Sequence, residues 1–149
     1  MDQSPQPARN DYAYFTRIQT RWMDNDIYGH VNNVVYYSYF DTIVNRYTIE
    51  VGGLDIHNGE VIGLVVESMC RYHQPASFPE ELEAGLRVAR LGNSSVRYEI
   101  GLFRPSCAEP VVTGHFIHVF VDRQTRRPAA ITASMRAGME KLLRSDTNN

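Results

Sequence analysis

Cysteine is scarce in this 149-residue chain: Cys70 and Cys107 lie in different segments, without Cys-x-x-Cys spacing. That argues against a zinc ribbon or a redox dithiol, and one pair is too few for a disulfide-built scaffold. No metal site is expected, and no cofactor. Long apolar runs are missing too. No stretch approaches the ~20 apolar residues that cross a bilayer as a helix, so no membrane partner is expected. The start, MDQSPQPARND, is polar and lacks the basic end and apolar run of a signal peptide. A cytoplasmic location is the expectation. Net charge is only −2, which leaves no broad basic face for nucleic acid. A local basic cluster could still hold a phosphate-bearing small molecule.

What is present is the mix of an ordinary globular domain, 43% hydrophobic and 21% charged. The length suits one core. Residues 1–10 and 144–149 read as disordered tails around a single domain at 11–143.

From Tyr12 to Trp22 the chain alternates, with Tyr14, Thr16, Ile18, Thr20 and Trp22 on one side, the pattern of a strand with one buried face. Residues 23–33 hold two aspartates, a glycine and three asparagines and read as a loop. Asn32 or Asn33 is placed to cap a helix. That helix runs from about Val34 to Val51, with Tyr36, Tyr37, Phe40, Ile43, Val44 and Tyr47 as a wide apolar stripe and Gly52-Gly53 as the stop. Further strands follow at about Val61–His73, Leu82–Val88, Val96–Leu102 and Val111–Asp122, then a short amphipathic helix over Thr132–Arg144. Strands joined by short turns are expected to be antiparallel. The fold class is α+β: a five-stranded antiparallel sheet wrapped around one long central helix, with a short C-terminal helix.

Residues 21–41 read RWMDNDIYGHVNNVVYYSYFD. Asp24 and Asp26 stand just before a helix start, with His30, Asn32 and Asn33 close behind. The first N–H groups of a helix point back at such a loop and favour negative charge there. A carboxylate base beside preoriented N–H donors is what acyl hydrolysis needs. Thioesters suit it, because a thiolate leaves readily without a strong general acid. Against this stands the plain structural alternative, since Asp and Asn before a helix are ordinary caps. Asp24 is the more structural of the two, read as an Asx turn.

The string D-x-D-x-x-G-H-V-N-N-x-x-Y resembles the signature of hot-dog-fold thioesterases of the 4-hydroxybenzoyl-CoA thioesterase family. The resemblance implies a catalytic carboxylate at Asp26, with His30, Asn32 and Asn33 beside it. It implies an oxyanion loop over Gly29 to Asn33, with Tyr28, Gly29 and Val31 in it, and acyl-pocket aromatics at Tyr36, Tyr39 and Phe40. Asp41 replaces the family's usual Glu and receives no role. The substrate implied is an acyl-CoA, bound through candidates Arg71, His73, Ser94, Ser95, Arg126 and Arg127. A homodimer joined edge to edge, assembling into a tetramer, is implied as well. Whether Asp26 activates water or attacks the carbonyl stays open. Alternatives are an acyl-carrier-protein thioesterase, a hydratase on the same fold, and a non-catalytic acyl-CoA-binding protein.

Overall fold

The coordinates are a computed structural model that describes residues 7–143. Residues 1–6 of the expected N-terminal tail and the whole expected C-terminal tail, 144–149, lie outside the described residues. The N-terminal part that is described packs onto the domain. Residues Arg9–Asp11 form a 3₁₀ turn, and the Arg9 guanidinium pairs with Glu83 and donates to the Cys107 carbonyl at 2.9 Å.

β1 (Tyr14–Gln19) alternates as its sequence predicts, with Ile18 buried and Phe15, Arg17 and Gln19 exposed. The alternation ends earlier than expected. Trp22 is not on the buried face: the chain turns into a 3₁₀ turn at Trp22–Asp24, and the indole is 77% exposed.

α1 (Val35–Glu50) is 16 residues long and buries Tyr36, Tyr39, Phe40, Ile43, Val44 and Tyr47. Those positions recur at helical spacing, so one face meets the sheet while Ser38, Asp41 and Thr42 meet solvent. Regular helix begins one residue after the expected start. The N-cap is Val34, without a side-chain capping bond, rather than Asn32 or Asn33; the Asn32 side-chain oxygen accepts from the Val34 N–H at 3.1 Å, an Asx turn just ahead of the helix. Gly53, at φ +72°, takes the left-handed conformation that ends the helix.

β2 (Val61–Tyr72), β3 (Glu81–Leu91), β4 (Ser95–Phe103) and β5 (Pro110–Asp122) complete the sheet, and α2 (Ala133–Glu140) follows, capped by the Thr132 side chain. The sheet order is β1-β3-β4-β5-β2, with every pairing antiparallel. One expectation fails here. β2 and β3 are consecutive in sequence yet are not neighbours, because β2 pairs with β5 at the far edge. Residues 73–80 therefore form a crossover rather than a short turn. The edge position also explains why Leu64, Val65 and Val66 are 38–60% exposed although the run is apolar.

Phe40, Ile43 and Val44 join Leu82, Leu86, Tyr98, Ile100, Leu102 and Phe116 in one core between helix and sheet. The approach is closest at Gly114, where a Cβ would collide with the Met69 carbonyl and the Phe40 ring. The result is an α+β domain with the layer arrangement expected of a hot-dog fold.

Candidate active site

The Asp26 segment is a tight hairpin. Asn25 and Val31 form an antiparallel bridge. Inside it the Asp26 N–H donates to the His30 carbonyl at 2.9 Å and the Gly29 N–H to the Asp26 carbonyl at 3.0 Å. Gly29 sits at φ +83°, the left-handed position that closes a three-residue hairpin loop. The hairpin leans on the 73–80 crossover. Val31 N–H donates to the Ala76 carbonyl at 2.7 Å, the Ser77 hydroxyl to the Gly29 carbonyl at 2.7 Å, and the Phe78 N–H to Asn25 Oδ1 at 3.0 Å.

The two aspartates part company here. Asp24 is 1% exposed and is an anchor. Its oxygens accept from the Arg21 N–H at 2.9 Å, from the Arg21 guanidinium, and from the Tyr39 hydroxyl at 2.6 Å. Burial pushes its pKa up, but the bonds from Arg21 and Tyr39 outweigh that and hold it below the usual aspartate value. Asp26 is half-buried and more open. Oδ1 accepts from the Tyr28 N–H at 2.9 Å, an Asx turn, and Oδ2 lies 3.4 Å from Asn32 Nδ2. The Asx turn expected at Asp24 is thus made by Asp26.

Of the N–H groups in the loop, most are spent. Tyr28 donates to Asp26 Oδ1, Gly29 to the Asp26 carbonyl, Val31 to Ala76 and Asn32 to the Asp24 carbonyl. Among residues 28–33, those of His30 and Asn33 alone lack an acceptor among the described residues; the N–H of the exposed Ile27 lacks one as well. A cavity of about 310 Å³ lies beside them, lined by His30, Val31, Asn33, Tyr36, Tyr72, His73, Gln74 and Pro75.

The aromatics expected to wall an acyl pocket are split. Tyr36 lines the cavity, edge-on to Tyr39 at 5.8 Å and tilted against Tyr72 at 5.7 Å. Tyr39 instead holds Asp24, and Phe40 is fully buried against Phe116. Tyr72 was not foreseen. Its ring is half-exposed and lies against Tyr36, and its hydroxyl donates to the Asn33 carbonyl at 3.0 Å. The signal was its place just before Pro75, where β2 must leave the sheet. His73 Nε2 lies 2.8 Å from Thr113 Oγ1. Burial and then the Arg71 charge lower its pKa, which favours a neutral ring at pH 7.

The thioesterase-like superfamily profile matches residues 20–139. The chain belongs to that superfamily. Among solved structures it is similar to the PA5185 protein of Pseudomonas aeruginosa strain PAO1, at 57% identity and TM-score 0.91, over 94% of this chain and 98% of that one. It also shares the fold of Slr0204, a 1,4-dihydroxy-2-naphthoyl-CoA thioesterase from Synechocystis, at 14% identity and TM-score 0.78, over 87% and 96% of the two chains. A curated relative, the uncharacterised protein YsmA of Bacillus subtilis (strain 168), is 24% identical over 132 residues, 89% of this chain and 88% of that protein.

In this member of the superfamily the expected coenzyme contacts are not gathered in one place. His73 is at the cavity, and Arg71 lies two residues before it on β2. Ser94 and Ser95 lie at the start of β4, and Arg126 and Arg127 in the turn after β5, both at the other end of the sheet. Within one chain they are remote from Asp26. Among the described residues no group of three or more His, Cys, Asp or Glu could hold a metal ion. No described helix is long and apolar enough to cross a membrane.

Proposed function

We propose that the protein hydrolyses an acyl-CoA thioester to the free acid and CoA, with Asp26 as the reacting carboxylate. The observation that carries this reading is the coincidence, on one hairpin and helix start, of the Asp26 carboxylate with the His30 and Asn33 N–H groups, which find no acceptor among the described residues and whose residues, unlike Asp26 itself, line the cavity. As general base, Asp26 takes a proton from water while the water oxygen bonds to the thioester carbonyl carbon. The oxyanion leans on the N–H donors; its collapse breaks the C–S bond and expels the CoA thiolate, which takes up the proton. As nucleophile, the carboxylate forms an acyl anhydride and releases the thiolate, and water then cleaves the anhydride.

The cavity stands at the lower end of the ~300–1,000 Å³ usual for small-molecule sites. It suits the acyl group, with the coenzyme extending outside. A homodimer pairing two β2 edges accounts for the scattered coenzyme contacts. A twofold axis runs the paired strands antiparallel, so the partner's β5-end turn, with Arg126 and Arg127, comes to the end where Tyr72 and Asp26 stand. The exposed Leu64, Val65 and Val66 favour that edge. Association of two such dimers gives the tetramer.

The test is a panel of acyl-CoAs graded in length, aromatic members included, beside matched acyl-carrier-protein substrates. Preferential hydrolysis of a CoA ester is expected. Acyl-CoA binding without turnover of any member would favour a binding protein and sink the reading.

A further inference from the structure

We propose that Ser77, on the crossover between β2 and β3, is a positioning residue that aims the His30 N–H as a second oxyanion donor beside that of Asn33. The inference rests on the proposed thioester hydrolysis. It starts from a property of the peptide bond: in a trans unit the C=O of one residue and the N–H of the next point in opposite directions. Fixing the carbonyl therefore fixes the N–H.

Two peptide units at this site are fixed in that way. The Asn32 carbonyl accepts from the Val35 N–H at 2.9 Å, which sets the direction of the Asn33 N–H. The Gly29 carbonyl accepts from Ser77 Oγ at 2.7 Å, which sets the direction of the His30 N–H, away from Ser77. These are the two cavity-side N–H groups that lack an acceptor among the described residues, while their neighbours on Tyr28, Gly29, Val31 and Asn32 are spent. Both residues line the cavity.

The hairpin explains why an outside hold is needed. Gly29 sits at φ +83°, and a glycine restricts its own peptide less than any other residue. The turn bonds of the hairpin use the Gly29 N–H and the His30 carbonyl, which leaves the 29–30 peptide plane to be set from elsewhere. Ser77 sets it. Flanking bonds from Val31 to Ala76 and from Phe78 to Asn25 keep Ser77 in register with the hairpin.

The test compares wild type, Ser77→Ala and Ser77→Thr on an accepted acyl-CoA and on its dithioester analogue, in which sulfur replaces the carbonyl oxygen. Ser77→Ala is expected to lower kcat about tenfold, a fraction of what a whole oxyanion donor supplies, with KM within twofold. Ser77→Thr keeps the hydroxyl and is expected to restore most of it. Because sulfur accepts hydrogen bonds poorly, the Ser77→Ala deficit is expected to shrink on the dithioester. The His30 amide resonance is expected to shift in Ser77→Ala alone. A kcat within twofold of wild type, or an equal deficit on both substrates, would overturn the proposal while leaving the hydrolase reading intact. A wild-type protein that turned over no thioester would overturn both.

Discussion

Tyr39→Phe offers a quantitative test of how the loop is held. Its hydroxyl is buried and donates to Asp24 Oδ2 at 2.6 Å, and Asp24 is itself 1% exposed. The substitution keeps the ring and removes one hydrogen bond to an ionised acceptor, worth about 1.5–3 kcal/mol. Against a total stability of roughly 5–15 kcal/mol for such a domain, that is easily measured by urea unfolding. The effect carries a pH signature. The folded-state pKa of Asp24 is depressed, so its contribution is fully present above the unfolded value near ~3.9 and is lost as pH falls through the lower folded value. The deficit of Tyr39→Phe is therefore expected to be constant from about pH 5 to pH 8 and to shrink below about pH 4. A variant within about 0.5 kcal/mol of wild type at pH 7 would refute the anchoring role, that being the scatter of ordinary surface changes.

Other outcomes follow from buried groups elsewhere. His118 is buried, its Nε2 has no hydrogen-bond partner among the described residues, and burial pushes its pKa down to about 4. The unfolded chain binds this proton below about 6.5, so stability falls as pH drops from there to about 4, by on the order of 3 kcal/mol. His118→Phe is expected to flatten that part of the pH–stability curve; an unchanged slope would contradict it. Burial pushes the Cys70 thiol up to about 11, whereas Cys107 is exposed. Alkylation of the native protein at pH 8 is expected to label Cys107 first, as peptide mapping would show. Equilibrium sedimentation is expected to give two or four times the chain mass of 17.0 kDa. Charge introduced on the β2 edge by Val65→Lys is expected to lower it, and an unaltered mass would disfavour that edge as the interface.

Much of this architecture was legible in the sequence because burial there follows local period. Thr16 and Ile18 alternate with exposed neighbours, and the α1 stripe recurs at helical spacing, so both elements announce themselves. Sheet order did not. The apolar run Leu64–Val66 has the composition of a central strand yet lies on an edge, since hydrophobicity alone does not tell a core neighbour from a missing one. The crossover was hidden for a related reason. Ala76, Ser77 and Phe78 bond to the Asn25–Val31 hairpin, some fifty residues away, and such bonds leave no short-range pattern. The same limit applied to the aspartates. Spacing placed both before a helix, but only the fold shows Asp24 enclosed by Arg21 and Tyr39, with Asp26 left on the open hairpin.

The most direct test is the steady-state rate of Asp26→Asn on whichever acyl-CoA the wild type hydrolyses best. The amide keeps an oxygen for the Tyr28 N–H that Asp26 Oδ1 accepts, so the hairpin is expected to survive, as an unchanged melting curve would show. With the carboxylate gone, kcat is expected to fall by roughly 10²–10⁴. A folded Asp26→Asn protein that retained near wild-type turnover would contradict the account.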